Sequence, residues 1–84
     1  MNKEKAIIIF NIINRKQSFD LEVPLDITAN ELVTALNTAY KLGIDMTDIN
    51  NCYLKAERPI VLLRGNKTIK QFGIRNGSII NFTE

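Results

Sequence analysis

The stretch TIKQFGIRNGSIINF, residues 68–82, carries three local instructions in succession. Thr68 can cap one short helical turn, which sets Ile69 and Phe72 on the same side. Asn76-Gly77 is a turn dipeptide, because both residue types tolerate left-handed backbone. Ser78 to Thr83 then reads as a strand with Ile80 and Phe82 on one face and Ile79 and Asn81 on the other. A lone strand buries too little to persist, so this one must join a sheet supplied by the rest of the chain.

Working outward, the same alphabet recurs. Before Thr68 come Tyr53 to Glu57 (YLKAE) as a strand, a turn at Arg58-Pro59, a short apolar strand from Ile60 to Leu63, and a turn at Gly65-Asn66. At the other end, Lys5 to Ile13 is a strand, Asn14 to Gln17 a polar turn, and Ser18 to Val23 (SFDLEV) an alternating strand that completes a hairpin closed by Pro24. Between the halves, Thr28-Ala29-Asn30-Glu31 fits the capping box, in which a hydroxyl and a carboxylate each satisfy an orphan N–H at a helix start. The helix is expected to run to about Leu42 and to stop at Gly43. Leu32, Val33, Leu36 and Tyr40 form its apolar stripe, with Ala29 and Ala39 flanking and Asn30, Asn37 and Lys41 on the far side. The order is ββαββ, one short turn, β: an α+β chain with a mixed sheet on one helix. Its 84 residues make a single domain, 1–84.

Composition narrows the chemistry. Eleven Lys and Arg against 9 Asp and Glu give a net charge of +2, too little to argue for nucleic acid. There is no histidine, and Cys52 is the single cysteine, so disulfide frameworks, zinc sites and histidine-based acid or base catalysis are not expected within one chain. No cofactor is expected. The start, Met-Asn-Lys-Glu-Lys before AIIIFNII, has the outline of a secretory signal, but the run is β-branched, is broken by Asn11 and meets Arg15-Lys16 without a cleavage site. It also falls far short of the ~20 apolar residues of a membrane span. A cytoplasmic location without membrane insertion is therefore expected, and the Asn-x-Ser/Thr matches at Asn66, Asn76 and Asn81 carry no glycosylation meaning.

The order and length resemble the β-grasp fold of ubiquitin, with Ile69, Phe72, Ile74, Gly77, Ile80 and Phe82 as the matching positions of the C-terminal pattern. A nearer resemblance is to the small bacterial YukD-like proteins, called EsaB in staphylococci, which are ubiquitin-like cytosolic components of type VII (ESS or Yuk) secretion. The phrases FDLEVP with a capped helix after it, YLKA, and QFGIRNGSII carry it, and it covers nearly the whole chain. The resemblance implies a non-enzymatic, ubiquitin-like protein-binding module with an accessory or regulatory role in that system and a secretion component as partner. A conjugated modifier needs a mobile tail ending in Gly-Gly, whereas here no glycine follows Gly77 and Glu84 comes directly after the last strand, so conjugation is not expected. An RNA-binding or ribosome-associated β-grasp domain and a degenerate sulfur carrier are the competing readings.

Several residues have plain roles. Cys52 at a strand entrance reads as an ordinary half-buried thiol with no activating partner. Asp45 and Asp48 read as turn or cap residues, and Ser18 and Ser78 have no base to activate them. Lys55, Arg58, Arg64, Lys67, Lys70 and Arg75 face only Glu57 as a counter-charge between residues 55 and 75, so the chain is polarised. Such a half fits an anionic headgroup, nucleic acid or an acidic protein, and also a solvated face that keeps a small domain dissolved, which is the plainer reading.

Strand parity supplies the candidate site. If Ile8, Phe10 and Ile12 face the helix with Leu54, Ala56, Ile80 and Phe82, then Ile7, Ile9, Tyr53 and Ile79 fall on the opposite face, side by side, with Lys55 and Arg75 at the edge. These six, Ile7, Ile9, Tyr53, Lys55, Arg75 and Ile79, are the candidate protein-binding residues, for a secretion component or a second copy of the chain. The alternative is a parity reversed by one residue, or a bulge near Ile12-Ile13 that buries some of them.

Overall fold

The computed structural model describes residues 4–48 and 52–83. Met1 to Lys3, the start of the signal-like run, and Glu84, which bears on the tail reading, lie outside the described residues. Strand β1 (Lys5–Ile12) and strand β2 (Gln17–Pro24) form an antiparallel hairpin, joined by a short 3-10 turn (Ile13–Arg15) and by Lys16 in the left-handed region at φ 53°. The first strand thus ends one residue earlier than its apolar run, because Ile13 enters the turn and leaves its side chain exposed.

Helix α1 (Ala29–Tyr40) begins with the expected capping box: the Thr28 hydroxyl accepts from the Glu31 N–H at 3.1 Å, and the Glu31 carboxylate accepts from the Thr28 N–H at 3.1 Å. Ala29, Leu32, Val33 and Leu36 are its buried stripe. Its end differs from the expectation at Gly43. Lys41 itself turns left-handed at φ 52° as the cap, so the helix stops at Tyr40. Tertiary contacts favour this earlier stop: the Arg15 guanidinium donates to the Tyr40 and Lys41 carbonyls, both at 2.8 Å, and so satisfies and neutralises the negative end of the helix.

Strands β3 (Leu54–Glu57), β4 (Val61–Leu63) and β5 (Ile79–Phe82) complete one five-stranded sheet in the order β2-β1-β5-β3-β4. β5 runs parallel to β1 and antiparallel to β3. Each of these strands is shorter than its sequence pattern suggests, with Tyr53, Ile60, Ser78 and Thr83 just outside. The Thr68 turn forms as read: the Thr68 hydroxyl accepts from the Gln71 N–H at 3.2 Å and the Gln71 side chain accepts from the Thr68 N–H at 2.9 Å. Ile69 is fully buried there and Phe72 packs partly against the core. Gly77, at φ +86°, makes the turn into β5.

The core lies between the sheet and α1. Ile8, Phe10, Ile12, Leu54, Ile80, Leu63, Ile69 and Val33 are all essentially inaccessible, and Ala56 is 3% exposed. Phe82 packs partly against the same cluster. The strand parity is therefore the one read from the alternation, with no bulge in the continuous β1/β2 register.

Candidate functional site

The sheet face turned away from α1 is open. Ile7 is 56% exposed, and Ile9 and Ile79 are half-buried and directly paired in the β1/β5 register. Their backbones are held firmly. The Ile9 N–H donates to the Ser78 carbonyl at 2.9 Å, the Gly77 N–H to the Ile7 carbonyl at 2.9 Å, and the Ile7 N–H to Asn76 Oδ1 at 2.8 Å. The Asn-Gly turn thus grips the end of the apolar strip as well as starting β5.

On one flank the strip meets acid, because Asp20 lies opposite Ile9 and Glu22 opposite Ile7. Lys5 reaches Glu22 at 3.4 Å, between exposed side chains. Along the strands the strip ends at a polar ladder across three of them: Asn11 Nδ2 donates to Asn81 Oδ1 at 2.9 Å, and Asn81 Nδ2 to the Glu57 carboxylate at 3.1 Å. Beyond it, Lys55 stands between Asn81 and Leu62.

Four of the six candidate residues, Ile7, Ile9, Ile79 and Arg75, gather at one end of this face. Arg75 is exposed in the turn next to Asn76-Gly77, with its N–H donating to Ser78 Oγ at 2.9 Å. Tyr53 is the correction. Ile79 is opposite Glu57, which puts Tyr53 four residues back in the chain, just before β3 and about 13 Å away, and not beside Ile79. Lys55 lies between the two, at the ladder.

Two exposed apolar residues were missed: Ile60, 89% exposed, and Leu62, 46% exposed. Leu62 shares the outer face with Lys55, its cross-strand partner, and the alternation of Ile60 and Leu62 against Val61 and Leu63 was the available signal. Together with Glu57 and Asn81 they line a shallow depression of about 460 Å³.

The remaining candidates have structural roles. Ser78 is fully buried, donates its hydroxyl to the Arg58 carbonyl at 2.7 Å and accepts from Arg75, so it clamps two turns together. Cys52 is 7% exposed, with Sγ against Met46 Sδ at 3.6 Å. Asp45 accepts from the Thr47 hydroxyl at 2.6 Å and the Thr47 N–H at 2.9 Å, and these bonds, the hydroxyl first, hold its carboxyl below the ordinary range. Among the described residues no group of His, Cys, Asp and Glu is placed to hold a metal ion, and no helix is long and apolar enough to cross a membrane.

One helix laid across a mixed sheet of order β2-β1-β5-β3-β4 defines a ubiquitin-like β-grasp domain. The solution structure of the C-terminal ubiquitin-like domain of mouse tubulin-specific chaperone e has this fold, with a TM-score of 0.74 over 99% of this chain and 89% of that one, at 12% identity. The sequence is more specific. Residues 7–81 match the family described as WXG100 protein secretion system (Wss), protein YukD, and the chain belongs to that family, the ubiquitin-like proteins of type VII secretion. No curated protein matches the sequence significantly.

Proposed function

We propose that this protein is a non-catalytic binding module that acts by non-covalent contact as an accessory or regulatory component of type VII secretion, in the cytoplasm. Family membership supports the system. The observation that carries the mode of action is the open sheet face, where Ile7, Ile9 and Ile79 form a registered apolar strip between the acids of β2 and the Asn11–Asn81–Glu57 ladder. Burial of such a strip is worth roughly 25 cal/mol per Å², and its polar rim fixes how a partner sits. The proposed occupant is a protein component of the secretion machinery. Arg75 and Lys55, at opposite ends of the face, steer acidic groups of that partner more than they hold it.

The test is a pair of substitutions. Ile9→Asp and Ile79→Asp are expected to leave the circular dichroism spectrum intact and to abolish co-purification with secretion-system components from the native cytosol. Lys67→Glu, whose ammonium lies over the Phe72 ring at 5.1 Å and away from the strip, is expected to leave co-purification unchanged. Folded Asp variants that still co-purify would move the working surface to the basic segment from Arg64 to Lys70.

A further inference from the structure

At the sheet edge opposite β4, strand β2 has a strand neighbour on one side only among the described residues. The direction of its backbone groups follows from the register. The Leu25 N–H donates to the Glu4 carbonyl at 2.9 Å, so the β1/β2 pairs that exchange hydrogen bonds are those in step with it, Ala6 with Val23, Ile8 with Leu21 and Phe10 with Phe19. The alternate pairs, Ile7 with Glu22, Ile9 with Asp20 and Asn11 with Ser18, turn their backbone groups away from each other. On β1 these groups meet the β5 side, as the Ile9 bond to Ser78 and the Gly77 bond to Ile7 show. On β2 the N–H and C=O of Ser18, Asp20 and Glu22 therefore point outward from the sheet edge. Pro24 falls in the same outward set, where its missing N–H costs the ladder nothing.

The two sides of this edge differ. Toward the helix, β2 and α1 enclose a groove of about 290 Å³ lined by Leu21, Ile27, Ala35, Ala39 and Tyr40 among others. Toward the outer face stand the exposed carboxylates of Asp20 and Glu22, the second with Lys5 Nζ at 3.4 Å. Apolar below and acidic above, at the strand period, is a template for a segment of complementary alternation.

We propose that the β2 edge is a docking site for an extended cationic segment of another protein, which adds beside β2 as a further strand. Its apolar side chains enter the β2/α1 groove, and its Lys or Arg side chains lie beside Asp20 and Glu22. A second copy of this chain does not fit. Antiparallel pairing of two β2 strands about Leu21 sets Asp20 of each copy opposite Glu22 of the other, and like charges directly opposite each other destabilise a ladder. This site uses the edge amides and the groove and does not depend on the strip of Ile7, Ile9 and Ile79.

The probe is an acetylated, amidated heptapeptide of alternating lysine and valine, titrated into the full-length ¹⁵N-labelled protein, with a glutamate-valine peptide as counterpart. Expected are amide shifts at residues 17–23 and at Ala35 and Ala39, slowed exchange of the Ser18, Asp20 and Glu22 amides, and loss of binding at about 0.5 M salt. Asp20→Lys is expected to weaken binding roughly tenfold. Asp20→Pro removes one outward N–H without touching the β1 ladder and is expected to abolish binding; should it unfold, Asp20→Lys and the salt series still decide. Equal binding of both peptides, no binding, shifts centred on Ile7 and Ile79, or β2 shifts that grow with protein concentration alone would each overturn the proposal.

Discussion

Replacing Ser78 by alanine tests whether the last turn and the β3/β4 turn are held by one hydroxyl. Ser78 is fully buried, donates to the Arg58 carbonyl at 2.7 Å and accepts from the Arg75 N–H at 2.9 Å. Ser78→Ala removes one small polar group and orphans two backbone groups on different turns. A net hydrogen bond is worth about 1 kcal/mol, and each backbone group left dry costs about 1–3 kcal/mol. Arg58 and Arg75 have exposed side chains, so water reaches part of their backbone and the loss settles at about 2–4 kcal/mol. At about 0.05–0.15 kcal/mol per residue the whole domain holds on the order of 4–12 kcal/mol, so this is a large share. Urea unfolding followed by circular dichroism should show a midpoint lower by about 1–2 M with unchanged slope. Ser18→Ala, on an exposed strand position, should move it by less than about 0.5 kcal/mol. A Ser78→Ala midpoint equal to that of Ser18→Ala would refute the clamp.

Two further outcomes follow from the same geometry. Leu36, 5% exposed on the inner face of α1, should lose about 2–5 kcal/mol as alanine, and an unchanged denaturation midpoint would mean that it packs against nothing that matters. Asp45 is held below its ordinary value of 3.8 by Thr47, so its contribution to stability is present above the unfolded value and fades as pH falls through the lower, folded one. Thr47→Val should move the Asp45 titration, read by NMR, back up toward 3.8, and an unmoved titration would show that the hydroxyl does not carry the shift.

Inner and outer strand faces were legible from a few polar markers, because Asn11 sets Phe10 and Ile12 on the opposite face and Asn81 does the same for Ile80 and Phe82, and a one-residue slip would have reversed every one of them. The helix start was legible for a local reason too: Thr28 and Glu31 satisfy each other within one turn. Its end was not. Gly43 looks like a stop in isolation, but Arg15, distant in sequence, reaches the Tyr40 and Lys41 carbonyls and the chain turns at Lys41. Tyr53 was misplaced for a similar reason, since the register of β3 on β5 is set by the turns at Arg58-Pro59 and Asn76-Gly77 and by the Asn81–Glu57 contact, none of which the YLKAE pattern encodes. Ser78 was weighed only as a nucleophile because its two partners belong to turns whose meeting is a tertiary fact.

The sheet order has a consequence for how the molecule is made. Among the described residues β5 is the last strand in sequence order and sits in the middle of the sheet, where it alone pairs with both halves, β1 on one side and β3 on the other. Until the ribosome has released residues 79–82, the two hairpins have no shared ladder, and the edges of β1 and β3 that β5 will cover are both open. At roughly 5–20 residues per second that interval lasts seconds, with both inner strand edges unpaired. The nascent chain therefore has only two separate hairpins to rest in. A truncation before Ser78 should yield two aggregation-prone hairpins instead of a shortened domain, and the domain should fold only after synthesis has passed residue 82.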